Sequence, residues 1–197
     1  RVPTDVAGLI RGLLRICLLG AAAAVTLEGW LQRRADGRPP PPFSSLAVID
    51  APIERVWAAL ADIEGQPRWM HEMKAVRLLT PPPIGVGTRG AATVRIFGIG
   101  VTDPVEITEF EPPRRFAIRH EGMFTGGGLI TLESGADGSS TIVRWDETLI
   151  APILPHTWAV LAAPVMKGIF QADLLRFRDL VEAEVGSRPG RPAGTPG

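Results

Sequence analysis

The sequence holds few of the residues that cross-link a chain or bind metals. Its 197 residues include one cysteine, Cys17, which excludes an intramolecular disulfide and a zinc site built from cysteines. Three histidines are present, His71, His120 and His156, and they do not have the spacing of metal ligands. We therefore predict that the protein uses neither a metal nor another cofactor.

An excess of charge of either sign is also missing. The chain has 21 Lys and Arg and 21 Asp and Glu, so its net charge is zero. Because nucleic-acid binding requires a concentrated basic surface, we predict no nucleic-acid partner. The glycine-containing stretches 85–88 and 98–103 lack the strand–turn–helix context of a dinucleotide site, and no supported Ser–His–Asp arrangement is present.

The N-terminal stretch, by contrast, is strongly apolar. Its charge-free run, residues 16–27, is 12 residues long, whereas a membrane-spanning helix needs roughly 20. A longer span up to Leu31 includes Arg15, and an arginine near a helix end can extend to the lipid headgroups. Trp30 is typical of an interfacial anchor. We predict that residues 1–34 form an apolar helix that anchors the protein in a membrane.

Two other interpretations of this stretch stay open. The alanines at 21–24 fit the cleavage site of a signal peptide, in which case the protein would be exported. Arg11 and Arg15 lie four residues apart, which suits a helix lying in the membrane interface or packed on protein. Because arginines flank both ends of the stretch, the distribution of positive charge sets no membrane orientation.

Proline and glycine mark the boundaries of the folded part. Four prolines at 39–42 favour an extended spacer, so residues 35–44 are predicted to link the helix to a domain over 45–186. Residues 187–197 have no apolar side chain able to anchor them and are predicted to be disordered.

Alternating apolar residues and turn signals within 45–186 predict seven short strands and two helices. The predicted strands are 46–50, 74–80, 88–97, 101–110, 115–121, 126–134 and 141–150, and the predicted helices are 53–62 and 155–185. Short strands at regular spacing indicate an antiparallel sheet that curls round the long helix. Pro164 predicts that residues 156–163 are angled to, or separate from, the rest of that helix.

Several motifs carry a resemblance to a known family. The opening VIDAPIERVWAALAD (48–62) is followed by a Pro67-x-Trp69 turn, and GVGTRG (85–90), EFEPPRRFAIR (109–119) and GSSTIVRWDETL (138–149) follow downstream. In this pattern the domain resembles the START / polyketide cyclase-dehydrase superfamily. The resemblance implies an α+β helix-grip fold, with a seven-stranded curved antiparallel sheet around a long C-terminal helix and a separate N-terminal apolar helix. Family members include lipid and sterol carriers, quinone-binding proteins and aromatase/cyclases.

In a helix-grip fold the ligand cavity lies between the sheet and the long helix. Strand alternation and helical spacing select the side chains expected to face it. These are Val94, Ile96, Phe116, Ile118, His120, Val143, Trp145, Glu147, Leu161, Val165, Ile169 and Phe170. His120 and Glu147 are the polar members of this set and therefore the candidate catalytic pair.

Three functions fit these observations, and the sequence does not indicate an oligomeric state. The first is a membrane-tethered module that binds a hydrophobic small molecule such as a lipid, a quinone or a polyketide-like aromatic. The second is a cyclase- or dehydratase-like enzyme that uses His120 and Glu147. The third is an interaction domain with a vestigial cavity.

Overall fold

A computed structural model describes residues 6–96 and 98–187. The predicted disordered tail therefore lies outside the described residues, apart from Ser187. In chain order the elements are α1 (Val6–Ala35), β1 (Phe43–Ile49), α2 (Ile53–Leu60), a 3-10 helix (Ile63–Arg68), β2 (Met73–Leu78), β3 (Arg89–Ile96), β4 (Ile99–Glu111), β5 (Arg115–Glu121), β6 (Thr125–Ser134), β7 (Thr141–Ile150) and α3 (Pro155–Gly186).

The seven strands form one antiparallel sheet in the order β1-β7-β6-β5-β4-β3-β2. Each strand from β2 to β7 pairs with the next one along the chain, and β1 pairs with β7 at the other edge. Alternation along β7 buries Val143, Trp145 and Glu147 and turns Arg144 outward, because successive side chains point to opposite faces. The predicted α+β helix-grip fold is confirmed.

The hydrophobic core lies beneath the C-terminal half of α3. Leu174, Phe177 and Val181 are each at most 2% exposed and pack on the sheet. The ring of Trp69, from the turn after the 3-10 helix, lies 4.8 Å from the ring of Phe177 and 6.0 Å from that of Trp145. Because the core takes up this half of α3, the space for a cavity lies beside the middle of the helix.

Pro164 does not divide α3. The helix runs without interruption from Pro155 to Gly186, so the expectation of a separate segment over 156–163 is wrong. Leu154, just before the helix, has a left-handed backbone (φ 52°) and supplies no side-chain cap. The cap comes instead from α1, where Glu28 accepts hydrogen bonds from the backbone N–H groups of His156 and Thr157.

The N-terminal helix contacts the rest of the protein near its C-terminal end. Residues 36–42 then lead from α1 to β1. By length and composition, both Gly8–Ala35 in α1 and the whole of α3 are apolar enough to cross a membrane. They differ in burial, since α3 packs its core face on the sheet whereas the most apolar window of α1 is not buried at all.

Candidate ligand cavity

An apolar cavity lies between the sheet and the middle of α3. Its volume is about 150 Å³, counted as the space that the centre of a water molecule can occupy, which corresponds to roughly ten waters. A ligand of this size has about two fused rings or an equivalent length of chain. The apolar lining includes Trp69, Val76, Ala92, Ile107, Phe116, Ile130, Trp145, Met166 and Phe170.

Most of the side chains selected from the sequence lie on this lining. They are Val94, Phe116, Ile118, His120, Trp145, Glu147, Ile169 and Phe170. The strands supply six of them because the inward and outward faces were distinguished by alternation. That they contact a ligand remains a prediction.

Four selected residues are placed differently. Leu161 and Val165 are 69% and 49% exposed and are not part of the lining, so the expectation that they face the cavity is corrected. Val143 is fully buried in the core and also lies outside the lining. Ile96 belongs to β3, but its side chain is outside the described part of the structure.

The error on α3 came from choosing between two apolar stripes. Leu161 lies roughly 140° from Met166 around the helix axis, at about 100° per residue. The buried stripe is the one that contains Met166, Asp173 and Phe177. Met166 and Asp173 were missed, although both lie three or four residues from Phe170 and so share its helix face.

Two polar side chains meet on the cavity wall. Nε2 of His120 lies 3.0 Å from Oε1 of Glu147, and the indole N–H of Trp145 donates to Oε2 of Glu147 at 3.0 Å. Glu147 is 1% exposed. With Glu147 as a carboxylate, Nε2 of His120 must carry the hydrogen of this bond. The second ring nitrogen, Nδ1, then has a lone pair to accept a proton or a hydrogen bond.

This contact crosses a whole strand, and a glycine makes room for it. His120 lies on β5 and Glu147 on β7, with β6 between them, so roughly 10 Å separates the two backbones. Gly128 of β6 is the register partner of Glu147, and a Cβ atom there would lie 2.4 Å from Oε2 of Glu147. The run 126–128, which looked like a loop or bulge from sequence, therefore lies inside a strand and leaves space for the carboxylate.

A second polar group lies where α3 meets the loop before β2. Asp173 is 2% exposed, accepts a hydrogen bond from the backbone N–H of His71 at 2.9 Å and pairs with the guanidinium of Arg176. Burial raises the pKa of Asp173 above its ordinary value, and the bonds from His71 and Arg176 offset this only in part. Asp173 also lines the cavity.

Glu72 lies at the same end of the cavity. The sequence carries no signal for this role, because a charged residue in a charged loop is usually solvated. Its Oε2 atom is buried and has no hydrogen-bond donor among the described residues. Hydrogen-bond acceptors are thus present both beside His120 and beside Asp173. Within 6–96 and 98–187, no three His, Cys, Asp or Glu side chains are grouped to hold a metal.

Comparison with known sequences gives one family. Residues 43–182 match the family described as polyketide cyclase / dehydrase and lipid transport. This range runs from the first residue of β1 to within five residues of the end of α3 and includes the cavity. No curated protein matches the chain.

Solved structures show the same fold at low sequence identity. A protein from Thermus thermophilus is 22% identical, with a TM-score of 0.60 over 73% of this chain and 99% of its own. The Zhui aromatase/cyclase from a Streptomyces species is 17% identical, with a TM-score of 0.60 over 76% and 98%. A START superfamily protein from Mycobacterium smegmatis is 16% identical, with a TM-score of 0.54 over 74% and 97%.

Proposed function

Because the chain belongs to the polyketide cyclase/dehydrase and lipid transport family, we propose that it binds a hydrophobic small molecule in the cavity between its sheet and α3. The observation that carries the proposal is the composition of the cavity wall, which is apolar apart from a few buried polar groups. Sites of this composition hold a ligand by apolar burial and orient it with the few polar groups.

The cavity also indicates the class of ligand. Rings of Trp69, Trp145 and Phe170 offer aromatic contact, and the volume suits a two-ring quinone, a polyketide-like aromatic or part of a lipid chain. Nδ1 of His120 would bond a hydroxyl group of the ligand, or a carbonyl group once the ring is protonated. Such molecules partition into lipid, so we propose that α1 tethers the domain to the membrane that holds them.

Filling the cavity tests the binding proposal. Menadione, a two-ring quinone, is titrated into the full chain in lipid nanodiscs while tryptophan fluorescence is recorded, because Trp69 and Trp145 line the cavity. We expect saturable quenching that Ala92→Phe abolishes, since Ala92 lies on the cavity wall. Ala75→Phe, the same change at an exposed position, is the control. Equal quenching of both variants, or no bound small molecule in native mass spectrometry, would contradict the proposal.

A second candidate function is dehydration or cyclisation of a β-hydroxy ketone. The hydrogen bond between His120 and Glu147 favours it, because Glu147 orients the imidazole and leaves Nδ1 as a base. Nδ1 would remove the proton α to the ketone, and the protonated ring would return a proton to the departing hydroxyl. The products are an enone and water, so no oxidant or reductant is required.

Turnover of a simple β-hydroxy ketone tests this candidate. With 4-hydroxy-4-phenylbutan-2-one as the probe, formation of the conjugated enone is followed by its absorbance. We expect His120→Ala to lower the rate by about 100-fold or more, the contribution typical of a general base. His71→Ala is the control, because His71 is exposed and is not part of the lining. A rate that is the same in both variants would rule out His120 as the base.

A further inference from the structure

The N-terminal helix divides into a docked part and an exposed part. Near its C-terminal end, Ala24, Glu28, Leu31 and Ala35 are buried or half-buried and form one stripe along the helix. Before this stripe, apolar side chains are exposed on every side, and they include Leu13, Leu14, Ile16, Leu18 and Leu19 at 54–71%. A partner protein that packed along the helix would cover only one face, whereas lipid chains surround a helix completely.

The docked part is held at the start of α3 by a buried carboxylate. Glu28 is 6% exposed and accepts hydrogen bonds from the backbone N–H of Thr157 at 2.7 Å and from that of His156 at 3.2 Å. Nδ1 of His156 lies 3.0 Å from the same carboxylate. These contacts, here called the Glu28 clamp, fix α1 to the folded domain. The exposed part of α1 therefore has a set direction relative to the cavity.

The arginines exclude a helix that lies flat on the membrane. Arg11 and Arg15 share one face, and at about 100° per residue this face lies about 150° from the docked stripe. In a flat amphipathic helix the charged face must point to water. The folded domain, which is attached on the opposite face, would then be pressed into the hydrocarbon.

A steep insertion satisfies both requirements. Residues 6–27 are about 33 Å long, close to the roughly 30 Å of a hydrocarbon core. Arg11 and Arg15 then lie about 24 and 18 Å along the helix from Leu27, in the far half of the layer, where long side chains reach the headgroups. At the near surface, Trp30 and Arg34 form a cation–π pair, with Arg34 Cζ 4.2 Å from the ring centre.

An apolar face of α3 extends from the same joint. Thr157, which contacts α1, shares a helix face with Leu161 and Val165 because the three are spaced by four residues. Leu161 and Val165 are exposed, so α1 turns away from α3 beyond the Glu28 clamp and leaves this face open. The face is continuous with the apolar surface of α1.

We propose that residues 6–27 of α1 insert steeply into a lipid bilayer and that the Glu28 clamp holds the Leu161–Val165 face of α3 against the surface of that bilayer. Met166 and Ile169, which follow on α3, line the cavity, so the ligand would pass between bilayer and cavity at this face. The proposal rests on the membrane tether proposed above. It assigns to Leu161 and Val165 a contact with lipid in place of the cavity contact predicted from sequence.

Cys17 provides a probe of depth without any added residue, because it is exposed in the middle of the inserted segment. The full chain is labelled with a fluorescent dye at Cys17 in phosphatidylcholine/phosphatidylglycerol vesicles. Quenching is compared between lipids that carry a nitroxide deep in the acyl chain and lipids that carry it at the headgroup. In a Cys17→Ala background, Leu161→Cys reports on α3, and Val86→Cys, 68% exposed in a loop, is the control.

We expect the deep nitroxide to quench Cys17 several-fold more than the headgroup nitroxide, and the reverse at position 161. Position 86 should be quenched by neither. Adding Glu28→Ala should remove the quenching at position 161 and leave the depth of Cys17 unchanged. Glu28→Gln, which keeps an acceptor oxygen, should have a smaller effect.

Each contrary result points to a different part of the proposal. Quenching of Cys17 only at headgroup depth would overturn the steep insertion. A deep Cys17 with an unquenched position 161, or with no effect of Glu28→Ala, would overturn the role of the clamp. An unquenched Cys17 would remove the membrane tether itself. None of these results changes the menadione titration, which tests ligand binding separately.

Discussion

At Gly128, a missing side chain decides whether the two polar groups of the cavity meet. Gly128→Ala would place a Cβ atom 2.4 Å from Oε2 of Glu147, so the carboxylate must move away from His120 and Trp145. Since a buried group that loses its hydrogen bonds costs about 1–3 kcal/mol, we expect the free energy of unfolding to fall by that amount. Urea unfolding measures the loss, and the ring signals of His120 in an NMR spectrum report the broken contact.

Gly100→Ala is the matched control for this substitution. Gly100 also lies in a strand, β4, but no atom lies within 4 Å of the Cβ that alanine would add. Its free energy of unfolding should change little or rise slightly, because alanine restricts the unfolded chain. Equal losses for both variants would mean that Gly128 matters only as a strand glycine.

Asp173 predicts a dependence of stability on pH. Burial raises the pKa of its carboxyl in the folded protein, so folding favours the protonated form. The stability that this group contributes is therefore fully present below its unfolded pKa and is lost as pH rises through its folded pKa. Asp173→Asn is neutral at every pH and keeps an oxygen for the N–H of His71. We expect the stability of this variant relative to the wild type to increase as pH rises above about 4, the ordinary pKa of an aspartate.

Urea unfolding from about pH 4 to neutral pH measures this difference. Asp179→Asn is the control, because Asp179 is largely exposed and is paired only with Arg178 on the surface. Its stability relative to the wild type should stay nearly constant over the same range. A flat profile for Asp173→Asn as well would show that the net effect of burial on the Asp173 carboxyl is smaller than proposed.

At the scale of elements, periodic patterns predicted the sheet and α3 well. The bounds of β5 and β7 were predicted to the residue, because their alternation is clear and turn residues flank them. Apolar spacing predicted the length of α3 but not which of its two stripes faces the sheet. That choice depends on the Glu28 clamp and on Trp69, both of which are distant from α3 in sequence.

The continuity of α3 through Pro164 leads to a prediction for that residue. Proline cannot donate a hydrogen bond to the carbonyl of Val160, so the turn before it is weakened. Pro164→Ala should restore this bond and raise the free energy of unfolding by about 1–3 kcal/mol. Hydrogen exchange of the amides at 156–163 should slow. Gly168→Ala, which meets open space, is the control and should leave exchange at 156–163 unchanged.

At the scale of the whole molecule, α1 is part of the folded structure as well as the proposed membrane anchor. From the sequence, residues 1–34 were predicted to be a unit apart from the domain, because nothing local shows that Glu28 reaches a helix 128 residues later. If the clamp is the main way in which α1 stabilises the domain, deleting residues 1–35 and substituting Glu28→Ala should cost similar amounts. We expect each to lower the free energy of unfolding by about 0.5–2 kcal/mol, the usual cost of losing a helix cap.

Unfolding of the full chain, the Glu28→Ala variant and the deletion variant in the same mild detergent measures this comparison. Thr26→Ala is the control, because Thr26 is exposed on α1 and bonds only within its own helix. A deletion that costs several kcal/mol more than Glu28→Ala would show that the packing of Ala24, Leu31 and Ala35 stabilises the domain more than the clamp does. A deletion without cost would show that α1 is held loosely, and the orientation of α3 at the bilayer would then lose its structural basis.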